Sequence, residues 1–357
     1  MRIAYLCHWN LDGSDGVSWK VRGQAAQWRA AGHEATVFAI SPGTARSDDG
    51  LEAFPYRGGR ERLGATIAAV HELRRRRPDV LYLRYDVFLP PVWALVRRVP
   101  TVVEVNSDTG RAMRAQWRGP AAVRFNLVNR RAVFSGVDGF VAVTNELARS
   151  EQVTRWQRPA IAIANGVDVA TIPSLPAPAN ASPRALFLGS AGQAWHGVDK
   201  IVELAHALPE LTVDVIGYRA ADVLPRPDSL PPNVTFHGRL PRDEYARIAA
   251  QADLAFGSLA LHRVQLDEGG PLKVREYLAM GIPLVIGYDD TDLQGLDASW
   301  LLRLPNREEN VMGAVGRIRD FAQAVRGLRV PREEIAPRID AAEKERRRLE
   351  FLSSFVS

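Results

Sequence analysis

Short apolar segments alternate with segments of helical periodicity along nearly the whole chain, and this alternation restricts the possible folds most strongly. In the first half, the apolar segments are IAYLC, ATVFAI, DVLYLRY, TVVEVN and GFVAVT. Between them we predict helices over residues 17–31, 65–77, 91–98 and 121–134. Buried parallel strands joined by helices give this pattern, so the first half is predicted to be a doubly wound α/β domain with a parallel sheet.

The composition changes after IAIANGVD, where residues 171–183 read TIPSLPAPANASP and show neither a helical nor a strand period. A stretch rich in Pro, Ala and Ser is typical of a linker. A second series of strands and helices follows, with the apolar segments RALFLGS, LTVDVIGY, NVTFHG, LAFGS and PLVIGY. The chain ends in predicted helices over residues 310–325 and 338–352.

We therefore predict an α/β protein of two facing Rossmann-like domains, since 357 residues exceed what one hydrophobic core usually organises. Residues 1–168 form the first domain, residues 169–183 the linker and residues 184–339 the second domain. The C-terminal helix, residues 340–357, is predicted to pack back on the first domain. Clefts between domains are preferred ligand sites, so we expect the active site in the cleft between these two.

The cysteine content and the apolar runs limit the class of protein. Cys7 is the only cysteine, which excludes a disulfide framework or a cysteine metal site and fits a reducing cytoplasm. The apolar run in MRIAYLCHWN is too short for a signal peptide. No stretch approaches the roughly 20 apolar residues that cross a bilayer. We expect a cytoplasmic protein that is soluble or peripheral at the inner membrane face.

Positive charge is concentrated in the first half of the chain. Residues 1–166 carry 24 Lys and Arg against 15 Asp and Glu, whereas the remainder carries 22 against 26. One interpretation is the ordinary solvation of an arginine-rich sequence. The other is that the first half faces an anionic acceptor or an anionic membrane surface, so the acceptor is anionic or membrane-associated in that interpretation. Nucleic acid is not an expected partner, because the basic residues are scattered and no aromatic-interleaved motif occurs.

The segment DEGGPLKVREYLAMGIP, residues 267–283, carries the most specific information about function. Gly269 and Gly270 give a turn without side chains, and Pro271 suits the first position of a helix because its missing N–H costs nothing there. A helix is predicted over residues 272–280. The unpaired N–H groups at its start make an anion site.

Lys273 is unusual in that position, since a cation in the first turn opposes the helix dipole unless an anion is bound. Glu268 and Glu276 flank it with carboxylates that accept hydrogen bonds from hydroxyl groups. A nucleoside diphosphate sugar matches this pattern, with phosphates in the middle and hydroxyls at both ends. The alternative is a surface helix with solvated charges.

The spacing Glu268-x7-Glu276 in EGGPLKVREYLAMGIPLV resembles the signature of retaining GT-B glycosyltransferases, in particular of family 4. Further similar stretches occur in the right order along the chain: AGHEATVF, ANGVD, FLGS, WHGVDK, VTFHGRLP and QADLAFGS. The resemblance implies the GT-B fold and transfer of a sugar from a nucleotide-diphosphate donor to an acceptor hydroxyl, with retention of the anomeric configuration. It also implies that neither a metal ion nor another cofactor is required.

The resemblance further implies roles for individual residues. Glu276 would bind the ribose, Glu268 the transferred sugar, and the amides after Gly270 the diphosphate. The residues carried over as donor-binding are Gly16, Ser190, His196, Leu240, Gly269, Gly270, Pro271, Leu272 and Glu276. Those carried over as catalytic are Glu268, Lys273 and Asn106.

Two positions depart from the family's pattern. Relatives commonly place an Arg after the FLG strand and a Lys six residues later, both against the diphosphate, and this chain has Ser190 and His196 there. Histidine is only fractionally charged near neutrality. We therefore expect Lys273 to replace part of the missing charge.

In the first half, Gly13 and Gly16 belong to a loop whose sequence DGSDG is not a dinucleotide fingerprint. Asn106, at the end of TVVEVN, stands where many relatives place an active-site His. His8 and Arg84 also end predicted strands, where doubly wound sheets bind ligands, although ordinary structural roles are equally open.

The expected function is hexosyl transfer in polysaccharide, glycolipid or glycosylated-metabolite synthesis. One alternative is a nucleotide-sugar 2-epimerase of the same fold, and another is a sugar-nucleotide-binding protein that has lost catalysis. The trio Asp290-Thr291-Asp292 resembles a DxD metal motif of another glycosyltransferase class, but it follows the wrong strand, so we predict a loop there.

Overall fold

The computed structural model describes residues 1–11, 15–43, 45–108, 119–224 and 230–356, so Gly13 of the predicted loop lies outside the described residues. The chain forms two compact units. The first unit contains Met1–Asp168 and Ala341–Ser357, and the second unit contains Val169–Asp340. None of the described helices is both long and apolar enough to span a membrane.

In its described residues the first unit is built on seven parallel strands: β1 Arg2–Cys7, β2 Glu34–Pro42, β3 Leu51–Tyr56, β4 Val80–Arg84, β5 Thr101–Val105, β6 Gly139–Ala142 and β7 Ala160–Ala162. Their order in the sheet is β3-β2-β1-β4-β5-β6-β7. The direction of the strand order reverses at β1 and β4, which places the topological switch point between these strands. The sequence pattern does not predict strand β3, because Pro55 interrupts its apolar run. The strand forms nevertheless because it lies at the edge of the sheet, where proline is tolerated.

Helices connect these strands, and their bounds lie close to the predicted ones. In the described part of the first unit they are α1 Gly16–Ala30, α2 Gly59–Arg76, α3 Pro90–Leu95, α4 Pro120–Phe134, α5 Asn145–Arg149 and α6 Glu151–Thr154. The largest difference is at α2, which begins six residues before the predicted start at residue 65. Gly58, Gly59 and Gly64 obscure the helical period there, because glycine lowers helix propensity.

The second unit repeats the architecture. Its strands are β8 Arg184–Leu188, β9 Thr212–Ile216, β10 Val234–Gly238, β11 Leu254–Phe256, β12 Glu268–Gly269, β13 Leu284–Ile286, β14 Asp289–Asp290 and β15 Leu301–Arg303. Six of them form a parallel sheet with the order β10-β9-β8-β11-β13-β15, and β12 pairs with β14. The helices are α7 Val198–Ala207, α8 Arg242–Ala250, α9 Leu272–Ala279, α10 Val315–Ala324 and α11 Arg332–Ile339.

The predicted linker, residues 169–183, begins with a single 3-10 turn over Val169–Thr171 and then runs without regular structure to β8. Arginine side chains hold it. Arg332 Nη1 donates to the Val169 carbonyl at 2.7 Å, and Arg329 Nε donates to the Pro176 carbonyl at 3.1 Å. These hydrogen bonds satisfy carbonyl groups that proline-rich chain leaves unpaired, and they fix the segment along the second unit.

The helix predicted over residues 338–352 is divided in the structure. Helix α11 ends at Ile339, Asp340 is extended, and α12 covers Ala341–Ser353. Pro337 lies within α11 and weakens its last turn, which favours the break. Helix α12 belongs to the first unit and contacts α1 there.

A buried polar cluster fixes α12 to the first unit. Glu345 accepts hydrogen bonds from Trp28 Nε1 at 2.7 Å and from Gln24 Nε2 at 3.3 Å. Arg348 pairs with Glu345, and its Nε donates to the Tyr82 hydroxyl at 2.9 Å. All five side chains are buried. Because buried charges require partners, Glu345 is the centre on which the cluster depends.

We expect Glu345→Ala to lower the free energy of unfolding of the first unit by about 3 to 5 kcal/mol, since it leaves Arg348 buried without its carboxylate. Thermal denaturation measures the loss. Glu343→Ala on the same helix is the control, because Glu343 pairs with Arg346 at the surface, where water screens the pair, and its loss should change the stability little. Equal losses for the two variants would contradict this role of Glu345.

Candidate active site

The segment from Asp267 to Met280 is held in place by a two-residue strand and a short helix. Strand β12 runs parallel to β14, where Asp289 N donates to the Asp267 carbonyl at 2.9 Å and Thr291 N donates to the Gly269 carbonyl at 3.0 Å. Gly269 lies against the Tyr288 ring, and a Cβ there would come within 3.1 Å of it. The close approach explains the need for glycine and fixes Glu268, which is buried, directly before α9.

The first turn of helix α9 has no side-chain cap among the described residues. Pro271 precedes this turn with an extended conformation. Gly270 is buried and Leu272 is half-buried beside this turn. The uncapped N–H groups carry the positive end of the helix dipole, so this turn can receive an anion.

Lys273 lies in this turn and is buried, with 8% of its surface exposed. Its Nζ lies 4.0 Å from the centroid of the Phe187 ring and has no hydrogen-bond partner among the described residues. Burial lowers the pKa of Lys273 well below its usual value. A buried ammonium without an anion is unfavourable, so the side chain is poised to gain a proton when an anion arrives.

His196 and Ser190 lie beyond strand β8, as the sequence predicted, but His196 is not a cation. Its Nδ1 is 2.8 Å from the Tyr218 hydroxyl, and burial, helped by the charge of Lys273, lowers the pKa of His196 to about 2. The expectation of fractional charge on His196 is therefore wrong, because its ring is packed among Phe187 and Tyr218. Ser190 is exposed.

The missing side chain of Gly189 allows His196 to pack closely against the end of β8. A Cβ at Gly189 would come within 2.7 Å of the Phe187 ring and 2.9 Å of His196 Nδ1. On the other side, Leu188 N donates to the Tyr277 hydroxyl at 2.6 Å, which joins the end of β8 to α9. This hydrogen bond holds the end of β8 next to α9, the helix that carries Lys273.

Glu276 lies on the next turn of α9. Burial raises the pKa of Glu276 to about 7, and the nearby charge of Arg242 acts in the opposite direction. Leu240, two residues before Arg242, is half-buried. A carboxylate with this environment accepts a hydroxyl hydrogen bond strongly once a ligand covers it, because the ligand replaces the missing solvent.

We expect Glu276→Gln to stabilise the unliganded protein in a pH-dependent way. A raised folded-state pKa contributes stability that is present below the unfolded value of 4.5 and is lost as the pH rises through about 7. The free energy of unfolding of the variant should therefore equal that of the wild type below about pH 4.5 and exceed it by about 1 to 3 kcal/mol above about pH 7. Thermal denaturation across this range measures the difference, and a difference independent of pH would contradict it.

The trio predicted as a loop contains a buried ion cluster that the sequence did not reveal. Asp290 ends the short strand β14, and Arg275 of α9 pairs with it at 2.5 Å and with Asp292 at 2.5 Å. Arg275 thereby ties α9 to the strand that supports Glu268. No group of three His, Cys, Asp or Glu residues in the described part of the chain is arranged to hold a metal ion.

In the first unit, Asn106 follows β5 at the carboxyl edge of the sheet. Lys20 Nζ donates to Asn106 Oδ1 at 2.9 Å and pairs with Glu104 at 2.6 Å, while Arg84 pairs with Glu104 at 3.2 Å. Asn106 Nδ2 is buried and has no partner in the described residues. Arg84 and Glu104 thus form a structural ion cluster, whereas the Asn106 amide can donate to a ligand.

Gly16 is the first residue of α1. The carboxylate of Asp15 caps this helix by accepting a hydrogen bond from Ser18 N at 2.8 Å. The start of α1 therefore already carries a negative group, unlike the start of α9. The assignment of Gly16 to the donor stays a prediction.

Comparisons relate this geometry to known proteins. Residues 14–171 match the model of Glycosyltransferase Family 4. No curated protein sequence matches the chain. Among solved structures, sucrose-phosphate synthase from Thermosynechococcus elongatus is similar, with a TM-score of 0.73 and 14% identity over 99% of this chain and 98% of that one.

Two further structures are similar over almost their full lengths. WaaG, a glycosyltransferase involved in lipopolysaccharide biosynthesis, gives a TM-score of 0.66 and 13% identity over 98% of this chain and 99% of that one. Anabaena Alr3699/HepE, solved in complex with UDP-glucose, gives a TM-score of 0.64 and 14% identity over 99% of this chain and 100% of that one. The predicted GT-B fold is confirmed by these neighbours. Residues 14–171 thus match Glycosyltransferase Family 4, and the chain as a whole has the GT-B fold of known glycosyltransferases.

Proposed function

We propose that the chain transfers a hexose-type sugar from a nucleotide-diphosphate donor to an acceptor hydroxyl with retention of the anomeric configuration. The observation that carries this proposal is the buried Nζ of Lys273, which has no partner among the described residues and lies between Glu268 and Glu276 at an uncapped helix start. A diphosphate at this turn would supply the missing anion. Ribose would then meet Glu276, and the sugar would meet Glu268.

In this proposal the chain stabilises the departing diphosphate without a cationic His196. Lys273, the Ser190 hydroxyl and the first backbone N–H groups of α9, from Leu272 onward, act on it together. His196 is a neutral hydrogen-bonding group and keeps its place beside Tyr218. Asn106 is the proposed polar group on the acceptor side.

A thermal-shift panel of nucleotide sugars tests the proposal, because a specific ligand stabilises the folded state according to its occupancy. The solved complex of HepE makes UDP-glucose the first compound to test. Transfer to an acceptor panel then follows, and the coupling constant of the anomeric proton in the product reports retention. An inverted product would overturn the stereochemical part of the proposal.

The panel also separates the two alternative functions. A 2-epimerase would release an epimerised sugar nucleotide when no acceptor is present. A protein that has lost catalysis would bind the donor tightly and yield neither hydrolysis nor transfer. We favour transfer because both glutamates, the glycine turn and Lys273 belong to one continuous segment, in which Glu268 and Lys273 are buried.

We also propose a peripheral contact with anionic membranes through the outer face of α2. Leu63 and Ile67 are 44% and 53% exposed one turn apart, and Arg60 and Arg74 are exposed on the same helix. An apolar stripe beside arginines suits the surface of an anionic bilayer.

We expect the protein to sediment with vesicles that contain anionic lipid, and to do so less at high salt. Replacing Leu63 and Ile67 by Ser should reduce the binding about tenfold, whereas Leu328→Ser, at an equally exposed residue of the second unit, should not. Equal binding to neutral and anionic vesicles would contradict the proposal.

A further inference from the structure

An arginine of the second unit joins three segments around the proposed donor site. Arg263 lies in a 3-10 turn, Leu261–Val264, between β11 and β12. Its Nη1 and Nη2 donate to the two oxygens of Asp199, at the start of α7, at 2.9 and 2.6 Å. Its Nε donates to Glu308, after β15, at 3.1 Å, and Nη1 also donates to the Ala194 carbonyl at 3.2 Å. The planar guanidinium presents its donors in a rigid fork, so these bonds fix the three segments relative to one another.

The 3-10 turn Ala194–His196, called the His196 turn below, is the segment nearest to the proposed diphosphate position. Each of its three carbonyl groups is held from residues 259–263. Leu259 N donates to the last carbonyl at 3.1 Å, Ala260 N donates to the middle one at 3.2 Å, and Arg263 binds the first. A single 3-10 turn has few hydrogen bonds of its own, so these outer donors decide its orientation.

The chain that follows Arg263 leads to Glu268 and is held by the same loop after β15. Asn306 Nδ2 donates to the Leu266 carbonyl at 2.8 Å and to Asp267 Oδ1 at 2.9 Å. Arg263 and Asn306 therefore connect this loop both to the His196 turn and to the two residues directly before Glu268.

The charge of Arg263 is already compensated within the protein. Hydrogen bonds from Arg263, and to a smaller extent from His262, lower the pKa of Glu308 to about 2, against the effect of burial. Glu308 is therefore ionised at physiological pH, and Lys200 Nζ lies 4.0 Å from its Oε1. A guanidinium that is shared by the carboxylates of Asp199 and Glu308 has little charge to offer a phosphate, so its contribution is geometric.

Building on the proposed transferase function, we propose that Arg263 is a positioning residue of the donor site. It holds the His196 turn in the orientation that receives the diphosphate, and the loop after β15 aligns this turn with Glu268. Placement matters in this site because Ser190 and the neutral His196 stabilise charge only as correctly directed hydrogen-bonding groups.

Calorimetric titration of the full chain with UDP tests this role in Arg263→Met and Arg263→Lys. We expect both variants to bind UDP about tenfold more weakly than the wild type. Lysine keeps the positive charge but lacks the fork that holds two carboxylates and a carbonyl at once, so it should not restore the affinity.

Arg184→Met is the matched control. Arg184 is the first residue of β8, and its Nε and Nη2 donate to the two oxygens of Asp214 at 2.5 and 3.0 Å, so it is a partly buried, bidentate arginine of the same unit. Its loss should leave UDP binding unchanged. Wild-type affinity in both Arg263 variants, wild-type affinity in Arg263→Lys alone, or an equal loss in Arg184→Met would each overturn the positioning role.

Amide hydrogen exchange of the unliganded protein tests the same role without a donor. We expect the amides of residues 194–197 to exchange about tenfold faster in Arg263→Met than in the wild type, because the turn opens locally, and to be unchanged in Arg184→Met. Unchanged exchange in Arg263→Met would overturn the proposal. A wild type that binds no nucleotide would overturn the donor proposal, and the exchange rates would still decide whether Arg263 holds the His196 turn.

Discussion

Lys273→Met is expected to lower kcat/KM for sugar transfer by about 10²- to 10³-fold while making the protein more stable. The loss follows because Lys273 is the buried cation of the proposed diphosphate site, where Ser190 and a neutral His196 supply no positive charge. The gain in the free energy of unfolding, about 1 to 3 kcal/mol, follows because methionine retains the packing on Phe187 without a buried amine that lacks a partner.

Lys200→Met is the matched control for this prediction. Lys200 is equally buried in the same unit, but its Nζ donates to the carbonyls of Leu259 and Arg307 and to Asn310 Oδ1 at 3.0 to 3.2 Å. Its removal should destabilise the protein by about 2 to 4 kcal/mol. Steady-state kinetics and thermal denaturation measure the two variants. A destabilised Lys273→Met with normal turnover would show that Lys273 is a structural residue.

Glu268→Gln is expected to reduce transfer about 10- to 100-fold while leaving the affinity for the free nucleoside diphosphate unchanged. In the proposed site Glu268 contacts the transferred sugar and not the phosphates, so only complexes with the sugar lose a charge-assisted hydrogen bond. The backbone pairing of β12 with β14 does not depend on the side chain, so the site should keep its shape.

Asp267→Asn provides the control, because Asp267 is the exposed neighbour of Glu268 and accepts a hydrogen bond from Asn306. Calorimetric affinities for the sugar nucleotide and for its nucleoside diphosphate separate the effects. If Glu268→Gln weakened both ligands equally, Glu268 would not be a sugar contact.

The local sequence was sufficient to predict the elements that carry the site. Gly269, Gly270 and Pro271 predicted the start of α9 at Leu272, and the unusual charge of Lys273 in its first turn is the basis of the proposed anion site. These features lie within one short segment, where spacing alone fixes which side chains are neighbours. The fold class followed from the repeated strand and helix pattern in the same way.

Features that join distant segments could not be predicted from local spacing. His196 is neutral because it packs against Phe187 and Tyr218. Arg275 reads as a surface residue in the helical pattern, yet it is buried between Asp290 and Asp292. The contact of His8 with Asp86 and Tyr56 likewise depends on the order of strands in the sheet. Long-range pairing decides each of these, and a single sequence does not display it.

Calorimetric titration with UDP at about pH 8, in two buffers of different ionisation enthalpy, tests the donor site most directly. Glu276 is mostly ionised there, since its pKa is about 7, so proton uptake on binding reports Lys273. We predict binding to one site with net proton uptake in the wild type, and weak binding without uptake in Lys273→Met. UDP binding of equal strength in both proteins, with no proton uptake in either, would contradict the assignment of Lys273 to the diphosphate.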